Sequence, residues 1–67
     1  MRADRVEVSW DQAKNKWLVR IEVGGEVIRR HCNEPRDADE PRLRAAAEKT
    51  ATEEGYEVEN ANVAIAR

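Results

Sequence analysis

The sequence predicts an α+β fold with two layers, a mostly antiparallel sheet with one helix packed on one face, in the order β-β-β-α-β. Three observations predict it. Apolar and polar residues alternate in segments 5–10 and 17–23, with the period of two that is typical of half-buried strands. A pair of glycines separates the second segment from a third. A stripe of apolar residues at helical spacing then lies between residues 41 and 54.

The length and composition of the chain limit what it can do. We expect all 67 residues to form one domain, with a thin core, because a chain this short buries only about 60% of its unfolded surface. The single Cys32 cannot form an intramolecular disulfide, and a small domain without such a link is typical of a reducing cytoplasm. No apolar run has the length of a signal peptide or membrane span. The sequence therefore predicts a soluble cytoplasmic protein without a membrane partner.

The first two strands are expected to pair around the loop of residues 11–16. A register with Trp10 opposite Trp17 places the aliphatic residues of both strands on one face, with Val8 opposite Val19 and Val6 opposite Ile21. The same register matches opposite charges on the other face, Glu7 with Arg20 and Arg5 with Glu22. A slip by one residue would move every valine to solvent, so both faces favour this register.

Gly24 and Gly25 predict a two-residue hairpin turn, since both central positions of a type I′ turn need a positive φ. The third strand is then residues 26–32. Its register places Ile28 opposite Ile21 on the core face, while the outer face pairs Arg29 with Arg20 and His31 with Leu18. Cys32 points to the core side near Trp17, which predicts a buried structural thiol.

Residues 33–40 form a polar connection that ends in residues that favour the start of a helix. Asp37 or Asp39 can cap the helix, Glu40 lies three residues after Asp37 as in a capping box, and Pro41 is tolerated in the first turn. Gly55 is expected to end the helix. The apolar stripe consists of small residues that would let the helix lie close to the sheet: Leu43, Ala46, Ala47, Thr50 and Ala51.

The last strand changes parity along its length. Tyr56 and Val58 have even residue numbers, whereas Val63 and Ile65 have odd ones, so a regular strand would direct the two pairs to opposite faces. We therefore expect a bulge or turn around residues 60–62 that brings both pairs to the core.

The sequence argues against an enzyme and against a bound cofactor. His31 and Cys32 are neighbours in a strand, so their side chains leave opposite faces and cannot form a catalytic pair. The only glycine pair belongs to a hairpin and not to a phosphate-binding loop. One His and one Cys do not make a zinc site, and the acidic trio Asp37, Asp39 and Glu40 lacks the spacing of a calcium loop.

The charges of the predicted helix run against its dipole. Arg42 and Arg44 occupy the first turn and Glu53 and Glu54 the last, although a helix dipole favours acids at the start and bases at the end. Glu57 and Glu59 follow directly. Stability alone would not select this arrangement, so these acids are candidates for binding.

The leading functional hypothesis is therefore a non-enzymatic protein-binding module with an acidic surface. Such a module would occupy a basic nucleic-acid-binding site on a larger protein, as small phage-encoded inhibitors, anti-CRISPR proteins among them, do as a class. Homodimerisation is left open by an exposed edge strand. The candidate partner-binding residues are the acids at the two ends of the helix: Glu53, Glu54, Glu57, Glu59, Asp37, Asp39 and Glu40.

The alternative is a small nucleic-acid-binding domain that uses the outer face of the sheet. Residues 16–30, with a tryptophan that opens the second strand, a glycine turn and alternating arginines, resemble the corresponding hairpin of arm-type integrase and plant AP2-like DNA-binding domains. The resemblance implies four contacts: Lys14, Lys16, Arg20 and Arg29. Glu7 faces Arg20, however, and the chain has a net charge of −2, whereas phosphate binding exploits a basic excess. Trp10 and Trp17 could stack on bases, but the register favours a core position.

Overall fold

The sheet contains four strands, and one helix lies across one of its faces. The computed structural model describes residues 2–66, apart from the side chain of Asn60. The spatial order of the strands is β3-β2-β1-β4, in which only β1 and β4 are parallel. This confirms the predicted α+β fold. The elements are β1 (Arg5–Asp11), β2 (Lys16–Val23), β3 (Glu26–Cys32), α1 (Glu40–Glu53), a short 3₁₀-helix (Asn60–Asn62) and β4 (Val63–Ala66).

The predicted registers of both hairpins are confirmed. Trp10 lies opposite Trp17 in the β1–β2 pair, and Ile28 lies opposite Ile21 in the β2–β3 pair. The complementary charges make only one of the two expected cross-strand contacts. Nη1 of Arg20 lies 3.0 Å from Oε1 of Glu7, whereas Arg5 leans along its own strand to Glu7, at 3.4 Å, instead of crossing to Glu22.

The core lies between the valine face of the sheet and a narrow stripe of α1. Leu43, Ala47 and Ala51 are the buried helix residues, at the i, i+4 and i+8 positions of one face. Ala46 and Thr50, the other members of the predicted stripe, are half-buried at its margin. The buried apolar residues are Ala3, Val6, Val8, Trp17, Val19, Ile21, Ala38, Leu43, Ala47, Ala51 and Val63.

The connection between β3 and α1 is tied to the two tryptophans. The indole N–H of Trp17 donates to the carbonyl oxygen of Pro35 at 2.8 Å, and the backbone N–H of Ala38 donates to the same oxygen at 3.0 Å. The guanidinium carbon of Arg36 lies 5.0 Å from the ring centroid of Trp10 and 5.7 Å from that of Trp17, within cation–π range. The tryptophans are therefore core and core-edge residues, as the register favoured.

Asp39 is the residue that caps the helix. Its Oδ1 accepts from the backbone N–H of Arg42 at 3.1 Å, and α1 begins and ends one residue earlier than predicted. The capping box that was predicted from Asp37 and Glu40 is therefore wrong, because the cap lies two residues after Asp37. Gly55, at φ 89°, follows the end of the helix as predicted.

The parity change near the end of the chain is produced by a turn and not by a bulge. Tyr56 and Val58 precede the 3₁₀-helix and pack against the core without belonging to a strand. In this segment, residue 57 makes one isolated parallel bridge, with Arg2. After the 3₁₀-helix, Val63 is buried in β4.

The cross-strand pair of Glu7 and Arg20 yields a test of the register. Both side chains are partly exposed, so we expect Glu7→Lys to lower the free energy of unfolding by about 0.5–1 kcal/mol. Adding Arg20→Glu should restore most of that loss, because opposite charges again face each other. Denaturant unfolding of the wild type, the single variants and the double variant measures the coupling energy. Zero coupling would contradict the contact.

Candidate functional site

The reversed charge pattern of α1 is present in the structure. Glu40 is the only acidic residue of its first turn, and its last turn contains no basic residue. The first-turn arginines have structural partners, however. Arg44 donates from Nη1 to the carbonyl oxygen of Val63 in β4 at 2.7 Å and from Nη2 to Glu40 at 3.0 Å. Arg42 donates through Nε to Glu34. The two arginines thus connect the start of the helix to β4 and to the preceding loop.

The four glutamates near the end of α1 fall into two kinds. Glu54 lies 3.0 Å from Arg30 of β3, and Glu59 lies 2.7 Å from Arg2. Glu53 and Glu57 form no ion pair with the side chains that the structure describes. Glu54 and Glu59 therefore each have a partner within the fold, and the binding role of all four glutamates stays a prediction.

The structure brings Glu57 next to acids that are distant in sequence. The carbonyl oxygen of Glu57 accepts from the backbone N–H of Ala3 at 2.7 Å. Asp4, which follows Ala3, donates its backbone N–H to the carbonyl oxygen of Glu22 at 2.8 Å. Its Oδ2 accepts from the backbone N–H of Gly24 at 2.9 Å. The exposed Glu26 follows in the same hairpin. We call the acids Glu53, Glu57 and Glu26 the acidic end; Glu22 does not belong to it, because its side chain lies on the outer face of the sheet with that of Arg5. Sequence periodicity could not find it, because its members come from three elements.

The acids at the start of α1 form a separate group with mostly structural roles. Asp39 is the helix cap and Glu40 pairs with Arg44, which leaves Asp37 exposed in the loop. A helix of 14 residues is about 21 Å long at 1.5 Å per residue. The two acidic groups therefore lie at opposite ends of the molecule and do not form one continuous site.

The outer face of the sheet, which α1 does not cover, holds the alternative site. Arg20 and Arg29 lie side by side in the β2–β3 register, as predicted. Glu7 binds Arg20, and the Nε atom of Arg20 is buried without a hydrogen-bond partner among residues 2–66. This guanidinium group is thus held against the sheet, whereas Arg29 is exposed and forms no ion pair with a described residue.

The remaining members of that predicted set lie near the other end of the sheet. Lys14 is exposed in the turn after β1, and Lys16 lies opposite Asp11. Asp11 also accepts from His31, with Nε2 and Oδ2 2.9 Å apart. This hydrogen bond lowers the pKa of Asp11 below its ordinary value of 3.8. The face is therefore a mixture of both charges and not a basic stripe.

An open groove of about 550 Å³ lies between α1 and β3. Cys32 lines it and is half-buried, not fully buried as predicted, because β3 is at the margin of the core. Burial, together with the negative charge of Glu34, raises the pKa of its thiol, so the thiol is protonated at neutral pH. The lining residues are His31, Cys32, Asn33, Glu34, Arg42, Ala45, Ala46, Lys49, Thr50 and Glu53.

Searches of the described residues and comparisons with known proteins assign no ligand to these features. Within residues 2–66 there is no group of three His, Cys, Asp or Glu placed to hold a metal ion. None of the described helices combines the length and apolar character that a membrane span requires. The chain matches no protein-family model, no curated protein and no solved structure.

The difference between Glu53 and Glu54 can be tested directly. Replacing either with Gln removes one negative charge from the unfavourable end of the helix dipole, but only Glu54→Gln removes an ion pair, that with Arg30. We expect the free energy of unfolding of the Glu53→Gln protein to exceed that of the Glu54→Gln protein by about 0.5 kcal/mol. Denaturant melts of the two variants measure this. Equal stabilities would show that the Arg30 pair contributes nothing.

Proposed function

We propose that this chain is a non-enzymatic protein-binding module that presents its acidic end to a basic surface of a larger protein. The observation that carries the proposal is the position of Glu53 and Glu57. Both are exposed, and neither has a cationic partner among the described side chains. They lie where the carbonyl groups of α1 already make the potential negative.

The internal ion pairs support this proposal because they neutralise two of the four glutamates near the end of α1 and leave the other two without a cationic partner among the described residues. Arg30 neutralises Glu54 and Arg2 neutralises Glu59. The fold can therefore supply cationic partners to acids at this end of the helix. Glu53 nevertheless has no such partner, although Lys49 lies four residues before it, at a spacing that allows a helical ion pair. A lysine or arginine of a partner would supply the missing charge and reduce the repulsion.

Occupation of a basic site gives such a module a simple mode of action. Sites that bind nucleic acid are lined by Lys and Arg that meet phosphates. An acidic end that occupies such a site excludes phosphate by charge neutralisation and by volume, without chemistry. We propose that the protein acts in this way as a small inhibitor that mimics nucleic acid, of the kind found among phage-encoded anti-CRISPR proteins, in a reducing cytoplasm that keeps Cys32 free.

Direct nucleic-acid binding by the outer face is the second candidate, and the observation that favours it is that Arg29 is exposed and forms no ion pair with a described residue. The neighbouring Arg20 is engaged by Glu7. Arg29, Lys14 and Lys16 are exposed, but the two lysines lie at the other end of the sheet and Lys16 lies opposite Asp11, whereas proteins that bind DNA tightly use several phosphate contacts. The acidic end therefore supports protein binding more strongly.

The proposal is tested with a fluorescein-labelled oligo-arginine peptide as the basic probe, at low salt, by fluorescence anisotropy. Glu53→Gln and Glu57→Gln should each weaken binding by about threefold, since each removes a charge that is free to pair. Asp37→Asn is the matched control, because it removes one negative charge at the far end of α1. It should change the affinity by less than about 1.5-fold.

Two results would contradict the proposal. An equal loss of affinity in all three variants would show that only net charge matters. A gel shift of DNA or RNA by the wild type that weakens with salt and disappears in Arg29→Ala would instead support the outer face as a nucleic-acid site.

A further inference from the structure

We propose that the free edge of β3 binds an extended peptide segment by strand addition, and that the segment carries an apolar residue two positions away from an acidic residue. The surface adjoins the acidic end, because Glu26 is the first residue of β3 and Glu53 lines the groove. It consists of the backbone edge of β3, the outer-face side chains of Val27 and Arg29, and the adjoining groove beside α1.

The backbone of β3 offers unpaired hydrogen-bonding groups at alternate residues. The two-residue turn makes Val23 and Glu26 a hydrogen-bonded pair, and in an antiparallel ladder such pairs alternate with pairs whose N–H and C=O groups point outward. The outward groups of β3 therefore belong to Val27, Arg29 and His31. Consistently, the carbonyl of Arg29 accepts from the side chain of Arg30 at 2.8 Å, and no other described residue hydrogen-bonds to these outward backbone groups.

The opposite edge of the sheet does not offer the same opportunity. β4 has four residues, compared with seven in β3. The carbonyl oxygen of Val63 in β4 is bound by Arg44 at 2.7 Å. A short edge strand resists strand addition, so the longer β3 is the edge at which a peptide can add.

The outer-face side chains of β3 define the chemistry of the segment. Val27 is the one large apolar side chain exposed among the described residues, at 36%, and Arg29 forms no ion pair there. The two residues lie two positions apart on the same face. An added strand has the same period, so an apolar residue beside Val27 places the residue two positions along beside Arg29, where a carboxylate is favoured.

A second copy of the chain fits this edge less well. The longest antiparallel pairing of two β3 strands uses residues 26–32 and centres on Arg29, which then faces Arg29 of the other copy. Like charges directly opposite each other destabilise a pair of strands. An acidic peptide meets the same arginine with opposite charge.

The groove between β3 and α1 adjoins the last two residues of the edge strand, His31 and Cys32, which line it. Side chains that do not lie beside Val27 and Arg29 point to the helix side of the sheet. The groove has a volume of about 550 Å³, and its helix wall combines the small residues Ala45, Ala46 and Thr50 with the charged residues Arg42, Lys49 and Glu53. Thr suits the positions between the apolar and the acidic residue of the peptide, because it is uncharged and favours a strand.

The experiment uses two fluorescein-labelled peptides with the central sequences Thr-Val-Thr-Glu-Thr and Thr-Val-Thr-Lys-Thr, measured by anisotropy with the full chain. The Glu peptide should bind the wild type at least about threefold more tightly than the Lys peptide, because only the former pairs with Arg29. Arg29→Glu should reverse this order. Lys14→Glu, which makes the same charge change in the β1–β2 turn, should preserve it.

The backbone contribution is measured by comparing Arg29→Pro with Arg29→Ala. Both variants lack the charge of Arg29, but only proline also removes the outward backbone N–H. An edge strand tolerates proline at a position whose N–H points away from the sheet. We expect binding of the Glu peptide to the Arg29→Pro variant to be at least about threefold weaker than to Arg29→Ala. Circular dichroism checks that both variants are folded. If the proline variant is unfolded, the reversed peptide preference of Arg29→Glu still decides the proposal.

Amide chemical shifts of the wild type locate the peptide. Shifts at residues 27, 29 and 31 on addition of the Glu peptide support strand addition. No binding at a peptide concentration of about 1 mM, equal affinity for both peptides, or shifts confined to other elements would overturn the proposal. Sedimentation as a dimer that the Glu peptide does not dissociate would also overturn it, because a second copy would then occupy the edge.

Discussion

The hydrogen bond from the indole N–H of Trp17 to the carbonyl oxygen of Pro35, at 2.8 Å, is the interaction on which the rest of the structure depends. Trp17 is fully buried in a central strand, so its polar N–H needs a partner inside the fold. Pro35 supplies it and also accepts from Ala38 at 3.0 Å. One carbonyl oxygen therefore joins the sheet to the turn before α1. Because Asp39 caps the helix immediately afterwards, this contact determines where the helix begins.

The distribution of charge follows from that placement. With its start fixed near Trp17, α1 directs Arg44 to β4 and Arg42 to the loop, where both have partners. The arginines at the unfavourable end of the dipole thus contribute contacts to the fold. The end of the helix lacks a comparable arrangement for Glu53, and this difference between the two ends is what motivates a binding role for the acids.

Local periodicity predicted the sheet better than it predicted the site. Alternation and turn chemistry were sufficient for three strands and two registers, because a slip would have reversed every side chain. The pairing of Glu54 with Arg30 and the contact of Arg36 with the tryptophans join residues that no periodic pattern relates. The capping box failed because Asp37 and Asp39 both satisfy the local rule, whereas in the structure it is Asp39 that accepts from the N–H of Arg42. Predicting the acidic end required the parallel pairing of β1 with β4, which joins the two ends of the chain.

Native-state hydrogen exchange of a Trp17→Phe variant tests the central claim most directly. Phenylalanine keeps an aromatic ring in the core but cannot donate to Pro35. We predict that the amide protons of Ala38, Arg42 and Leu43 lose protection by at least about tenfold more than those at the centre of the β1–β2 hairpin. Such a result would show that this bond anchors the start of α1. A uniform loss of protection across sheet and helix, or no loss near Ala38, would contradict the account.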